Sequence, residues 1–166
     1  MTSPETYDRI LRLRAIRHFA DRPVTDDELE PVLEAARWTG SAKNLQNWSW
    51  IVLRDPAQRE TVAACGDSTD PIRNAPVTVV LVQERDGYEF DTGRLAQNLM
   101  LAADALGLAS VPITLHRDAD AAEVLGLPAG VRARYAVALG HRGPAAAPSR
   151  RGGRKPMSDL WKVDRY

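Results

Sequence analysis

Residues 91–106 read DTGRLAQNLMLAADAL and carry the longest helical pattern of the chain. Apolar side chains recur at helical spacing at Leu95, Leu99, Ala102 and Leu106. Three further apolar residues widen this stripe, namely Ala96, Met100 and Ala103. Because so much of the circumference is apolar, the pattern predicts a central helix that packs on two sides.

Other elements are predicted on both sides of this helix. Residues 77–82 (VTVVLV) are nearly all β-branched, which is typical of a strand buried on both faces. Further strands are predicted at 48–53, 111–115 and 135–139, and Thr25 to Glu28 form a capping box that begins a helix expected to stop at Gly40. Shorter helices are predicted after Ser3-Pro4, after Asp55-Pro56, and up to Leu125-Gly126. We expect one domain over residues 1–166.

Composition excludes several classes of protein. The chain has 166 residues, 22 basic and 22 acidic side chains, and a formal net charge of zero, which argues against bulk nucleic-acid binding. Its longest apolar stretch is far shorter than the ~20 residues of a membrane span. The single cysteine, Cys65, cannot form an internal disulfide or a zinc site, and the three histidines are scattered. We therefore expect no metal site. We also expect a reducing, cytoplasmic location, because no signal-peptide pattern is visible.

Three segments are candidates for chemistry. Arg14 and Arg17 are three residues apart and are expected on one face of the first helix, where both could reach one anion. Residues 38–48 (WTGSAKNLQNW) combine small residues, amides and a hydroxyl between a helix and a strand. Residues 141–157 form a basic loop with Arg150, Arg151 and Arg154. Taken singly, the three signals are weak. A solvated face is the better explanation of the arginine pair and of the basic loop, and residues 38–48 are also explained as an ordinary connection.

Together and in this order, these segments resemble the FMN-dependent nitroreductase family over nearly the whole chain. Residues 14–19 (RAIRHF) are similar to its Arg-Arg-Ser-x-Arg-x-Phe box, and residues 41–48 (SAKNLQNW) to its Pro-Ser-x-x-Asn-x-Gln-Pro-Trp motif. Residues 21–24 (DRPV), 74–76 (NAP), 111–114 (VPIT) and 154–156 (RKP) match further family elements. Ala15 stands where many members have serine, and Asn47 stands where they have proline.

The resemblance implies an α+β fold with a central, mostly antiparallel sheet flanked by helices. It also implies a homodimer that shares FMN across its interface. Arg14 and Arg154 would bind the phosphate, and Arg17 would lie at the pyrimidine edge. The ring would lie beside Pro112, Ile113 and Thr114, with the Thr114 N–H near N5. The implied cofactor-binding residues also include Ala15 and, partly from the partner subunit, Ser41, Ala42, Asn44 and Gln46.

The resemblance further implies an oxidoreductase in which FMN carries the chemistry, so that no dedicated catalytic side chain is needed. Hydride from NADH or NADPH would pass through FMN to a small-molecule acceptor such as a nitroaromatic or a quinone. Two alternatives share the same motifs. One is a flavin-binding protein without turnover, and the other is an oxidase or dehydrogenase of a biosynthetic substrate, which Asn47 and the short chain leave open.

Overall fold

A computed structural model describes residues 4–144 and 153–165. The helices in these ranges are α1 (Pro4–Arg12), α2 (Asp26–Arg37), α3 (Pro56–Ala63), α4 (Asp70–Asn74), α5 (Glu89–Ala105), α6 (Asp118–Val124) and α7 (Met157–Leu160). The strands are β1 (Trp48–Leu53), β2 (Val77–Gln83), β3 (Ala109–Thr114) and β4 (Arg132–Gly140). A 3-10 turn, Ala42–Asn44, precedes β1. Among the described helices, none is long and apolar enough to cross a bilayer.

The four strands form one antiparallel sheet in the order β1-β2-β4-β3. Helices cover both of its faces. On one face Val77, Val79 and Leu81 of β2 pack with α2 and α5, and on the other Val80 packs with residues of α3, α4 and α6. The prediction that this strand is buried on both faces is therefore correct, and β1 and β3 are the two edges of the sheet.

Several helices begin at or near the residues at which the sequence predicted them to begin. The capping box is present, because the Thr25 hydroxyl accepts from the Glu28 N–H while the Glu28 carboxylate accepts from the Thr25 N–H. Asp55 caps α3 through its side chain. The central helix begins two residues earlier than expected, at Glu89, and buries Leu95, Leu99 and Ala103. Leu106, placed on the apolar stripe, is instead 53% exposed.

Two predicted helix ends were wrong. α2 ends at Arg37 with Trp38 as its C-cap, and Gly40 lies in the following loop, where its carbonyl accepts from Arg94. α1 ends at Arg12, so Arg14 and Arg17 are not on a helical face. The short helices α4 and α7 were not predicted. Ser3, Arg150 and Arg151, named in the sequence analysis, lie outside the described residues.

Candidate functional site

The segment after α1 runs along the free edge of β3. The Ile16 N–H donates to the Ser110 carbonyl at 2.9 Å, and Ile16 is only 1% exposed. Three residues later, Phe19 forms an antiparallel bridge with Arg142, just beyond β4. The buried Ile16 thus anchors an extended segment, and this long-range pairing explains why the helix stops at Arg12.

Arg14 and Arg17 flank this anchor and are exposed. The Arg14 guanidinium donates from Nη1 to the carbonyls of Leu11 and Leu13 at 2.7 and 2.8 Å, at the end of α1. Within residues 4–144 and 153–165, neither arginine has a carboxylate partner. Two unneutralised guanidinium groups beside a sheet edge are suited to an anionic ligand group.

The outer edge of β3 presents a backbone donor. Just beyond the strand, the Leu115 N–H donates to the Arg134 carbonyl of β4 at 2.8 Å. Hydrogen-bonded positions alternate in an antiparallel pair, so the backbone groups of Ser110, Pro112 and Thr114 are directed away from β4. Ser110 uses its carbonyl for Ile16, and Pro112 has no N–H to leave unpaired. The Thr114 N–H is therefore directed outward, as the proposed contact with flavin N5 requires.

A cleft of about 490 Å³ lies between this end of β3 and the first half of α5. Phe90 stands at the cleft with 76% of its surface exposed. A Cβ added at Gly93 would meet nothing within 4 Å, so the helix leaves open space on this side. The cleft is lined by Glu89, Phe90, Thr92, Gly93, Ala96, Pro112, Ile113, Thr114, Tyr135 and Ala136. The three residues predicted as the flavin wall thus share one cleft.

The loop before β1 has an unusual backbone. Lys43, Asn44 and Gln46 all have positive φ angles, between 52° and 55°. This left-handed conformation is uncommon outside glycine, and it is least costly for asparagine. The Ser41 hydroxyl accepts from the Gln46 N–H at 3.0 Å and closes the turn. Backbone strain of this kind is frequent at ligand-binding sites, where the surrounding structure holds the backbone in position to contact the ligand.

This loop is held in place by α5. Arg94 donates from Nη1 to the Gly40 carbonyl at 2.5 Å, and the Asn98 amide donates to the Thr39 hydroxyl at 2.8 Å. The side chains of Asn44 and Gln46 remain exposed. The loop and the cleft are therefore both positioned by the central helix.

The predicted cofactor residues form two separate groups in one chain. Ser41, Ala42, Asn44 and Gln46 precede β1, whereas the other group lies along β3, at the opposite edge of the sheet. Two strands separate these edges, which corresponds to roughly 14 Å at the usual spacing of neighbouring strands. In the described ranges, no hydrogen bond or ion pair joins the groups. Arg154 is exposed and has no hydrogen bond or ion pair within the described ranges.

Some residues of the site were not identified from the sequence. Phe90, Gly93 and Tyr135 line the cleft. Gly93 was predicted only as part of the central helix and Tyr135 only as part of a strand, and no element was predicted at Phe90. One signal was available, since glycine inside a helix is unfavourable and indicates that space is needed there.

A polar cluster stands at the exit of β3. Arg117 donates to the Asp67 carboxylate at 2.7 Å and lowers the pKa of Asp67, an effect to which His116 adds. A Cβ at Gly66 would lie 2.8 Å from the Thr114 carbonyl, so this loop packs directly on the end of the strand. Burial raises the pKa of the Cys65 thiol, which argues against a nucleophilic role. The described side chains include no group of three or more His, Cys, Asp or Glu that could hold a metal.

A family model covers most of the chain. Residues 10–65 and 67–141 match the Nitroreductase family. This chain belongs to that family. The matched residues include both arginines beside β3, the left-handed loop and the cleft wall, whereas Arg154 falls outside them.

Relatives and solved structures agree with this assignment. Protein DrgA of Synechocystis sp. is 31% identical over 94% of this chain and 94% of its own length. The oxygen-insensitive NADPH nitroreductase of Salmonella typhimurium is 32% identical over 76% of this chain and 61% of its own length. A Desulfovibrio desulfuricans protein described as a nitroreductase, solved in complex with FMN, is 28% identical with a TM-score of 0.86 over 99% of both chains. The predicted family and α+β fold class are confirmed.

Proposed function

We propose that this chain is an FMN-dependent oxidoreductase that takes hydride from NADH or NADPH and reduces a nitroaromatic, a quinone or a related small acceptor. Membership of the nitroreductase family supports the oxidoreductase class. The names of the Salmonella relative and of the FMN complex support the two cofactors. The proposal places the protein in the cytoplasm, where NAD(P)H is available.

The observation that carries this proposal is the cleft at the edge of β3. A flat, largely apolar ring system fits between Pro112 and the open side of α5 at Gly93. The outward Thr114 N–H offers a hydrogen bond to a ring nitrogen, and Arg14 and Arg17 have no carboxylate partner in the described chain. The residues present therefore fit a flavin mononucleotide.

Each group has a distinct task in this proposal. FMN, when bound, supplies the hydride acceptor and donor chemistry. Arg14 and Arg154 bind the phosphate through charge-assisted hydrogen bonds. Arg17 stabilises negative charge at the pyrimidine edge, and the cleft wall orients the ring. Asn44 and Gln46 provide amide contacts from the strained loop.

We also propose that the site is completed in a homodimer. The two groups of cofactor residues stand at opposite edges of one sheet, so a second copy is needed to bring both to one ligand. Several large apolar side chains of the described residues are also exposed. Tyr7, Ile10 and Leu11 of α1 are more than half exposed, and so are Met157, Leu160, Trp161 and Val163 near the C-terminus.

Anaerobic mixing with NADH and with NADPH tests the proposed turnover. The purified protein is expected to carry FMN and to lose its yellow colour with at least one nucleotide. Adding a nitroaromatic or a quinone should then restore the oxidised spectrum. A bound flavin that stays oxidised with both nucleotides would favour a flavin-binding protein without turnover.

A further inference from the structure

A cavity of about 380 Å³ lies at the end of α2, beside the left-handed loop that precedes β1. It shares no lining residue with the flavin cleft, and its volume is typical of small-molecule sites. Because this loop contacts the flavin in the proposed homodimer, a ligand in the cavity would lie beside the flavin. The lining consists of Arg37, Trp38, Thr39, Gly40, Asn44 and Gln46.

Trp38 presents a rigid aromatic surface in this cavity. Its indole N–H donates to the Glu34 carboxylate at 2.8 Å, and the Arg37 guanidinium lies 5.4 Å from the centre of its ring. Even so, 73% of the residue is exposed, so most of the ring is open to a ligand. Two contacts hold the ring while leaving it accessible, and such a ring can stack on a planar ligand group.

The rest of the lining favours a heteroaromatic ring over a hydrocarbon. The side-chain amide of Asn44 has no hydrogen-bond partner in the described chain. An amide has two N–H donors and an acceptor oxygen, so Asn44 can bind a base in addition to its proposed flavin contact. Asparagine and glutamine commonly recognise the edge of adenine, and bases are commonly held by stacking on aromatic side chains. Trp38 and Asn44 together therefore suit adenine.

The lining of this cavity contains no unpaired cation. Arg37 is its one charged residue, and it donates from Nε and Nη2 to the two oxygens of Glu34 at 2.7 and 2.6 Å. Lys43 is the one basic residue of the loop 38–48, and it does not line the cavity. A phosphate group next to the adenine would therefore find no free positive charge in the lining, and the Glu34 carboxylate would repel it.

Beside the flavin loop, the cavity is placed to hold the part of a substrate that does not react. The nicotinamide and the acceptor must each reach the flavin ring, whereas the adenine of a dinucleotide binds away from it. NADPH differs from NADH by a phosphate on the ribose that carries the adenine. We propose, resting on the oxidoreductase function proposed above, that the adenine of NADH stacks on Trp38 and hydrogen-bonds to Asn44. The same site selects NADH over NADPH, because the Arg37–Glu34 pair leaves no cation for the additional phosphate.

Anaerobic stopped-flow reduction of the flavin-loaded protein tests the site. Reduced nicotinamide mononucleotide (NMNH) has the same reacting ring as NADH but lacks the AMP half. NADH should therefore bind about five- to a hundredfold more tightly than NMNH, the effect of one stacked base, and more tightly than NADPH. Equal affinities for NADH and NMNH would overturn the adenine site without affecting the proposed function. A flavin that none of the three nucleotides reduces would contradict the proposed function itself, and this inference with it.

Variants of Trp38 test the stacking. Trp38→Ala should lower the affinity for NADH to that for NMNH and leave NMNH unchanged, whereas Trp38→Phe keeps a ring and should retain most of the preference. Tyr88→Ala, which removes an exposed aromatic side chain outside the cavity, is the matched control and should keep the preference. Adenosine alone should saturably quench the indole fluorescence of the wild-type protein but not that of Trp38→Phe. Unchanged NADH affinity in Trp38→Ala, or equal quenching in Trp38→Phe, would refute the role of Trp38.

Glu34→Gln tests the selection against NADPH. The amide can still accept from the Trp38 indole, but Arg37 loses its ion pair, so the affinity for NADPH should rise about tenfold relative to that for NADH. Glu30→Gln makes the same change of charge at an exposed residue of α2 outside the cavity, and it should leave the ratio unchanged. A wild-type preference for NADPH, or the same ratio in both variants, would overturn the selection by charge.

Discussion

Arg14 and Arg17 are separated by two residues, yet the structure gives them different surroundings. Arg14 donates to two carbonyls at the end of α1, whereas the Arg17 guanidinium has no partner in residues 4–144 and 153–165. Between them, the Ile16 N–H is hydrogen-bonded to Ser110 of β3, and this bond fixes the backbone positions of both arginines. Their proposed roles, at the phosphate and at the pyrimidine edge, therefore predict different defects.

Arg14→Ala should weaken FMN binding by about ten- to a hundredfold, because a charge-assisted pair contributes about 1.5–3 kcal/mol. Arg17→Ala should instead lower the reduction potential of the bound flavin. A loss of ~1.4 kcal/mol of differential stabilisation corresponds to about 30 mV for two electrons. FMN titration and redox titration measure the two effects. Arg12→Ala, which removes an exposed arginine inside α1, is the control and should change neither value.

One carboxylate, that of Glu34, has a strongly lowered pKa. Hydrogen bonds from Arg37, and then from Trp38, lower the pKa of Glu34 to about 2. Because the folded-state pKa lies below the ordinary value of 4.5, this group stabilises the fold above that pH. The contribution is lost as the pH falls through about 2.

Two substitutions should separate the causes of this shift. Arg37→Gln is expected to raise the pKa of Glu34 more than Trp38→Phe does, since the guanidinium makes the larger contribution. An NMR titration of the Glu34 carboxyl carbon in both variants measures this difference. Equal values in the two variants would show that the indole N–H matters as much as the charge.

At the scale of elements, α5 organises the site. One side of the helix holds the strained loop through Arg94 and Asn98, and another side forms the cleft with β3. Gly93 is the one glycine within α5, and it lies where the cleft is open. Helical stability and ligand space therefore make opposite demands at this position.

Gly93→Ala should raise the stability of the flavin-free protein by about 0.5–1 kcal/mol, because alanine favours the helix and its methyl group meets no atom. The same methyl group enters the cleft, so FMN affinity should fall. Urea unfolding without flavin and FMN titration measure the two changes. Gln97→Ala, at an exposed position of α5 outside the cleft, should leave FMN affinity unchanged. An unchanged affinity in Gly93→Ala would place the flavin elsewhere.

At the scale of the whole molecule, the proposed site is divided between two copies. Arg14 and the cleft wall would come from one subunit, and the loop with Gln46 from the other. Gln46 has a φ angle of 52°, which glycine adopts without strain, so Gln46→Gly removes the amide and should preserve the loop.

Mixing of subunits tests this division. Arg14→Ala and Gln46→Gly homodimers should each bind FMN weakly at both sites. A mixed dimer should contain one site with both defects and one site with neither. Unfolding and refolding the two variants together should therefore restore tight binding at about a quarter of all sites. A site built within one chain would show no recovery in the mixture, and sedimentation of each sample verifies that dimers are present.

Features that depend on near neighbours in the chain could be predicted from the sequence alone. The capping box at Thr25, the bounds of β1 and the burial of β2 on both faces all follow from residues within a few positions of each other. The ordered motifs were also sufficient for the family. Spacing determines these features because capping and hydrophobic periodicity are local.

The end of α1 could be located only in the folded protein, because the hydrogen bond from Ile16 joins residues far apart in the chain. The same holds for the positions of the two groups of cofactor residues at opposite edges of the sheet and for the open space beside Gly93. The physical reason is common to these three features. Strand order and long-range contacts depend on which distant surfaces pack together, and the spacing of residues along one segment carries no information about that.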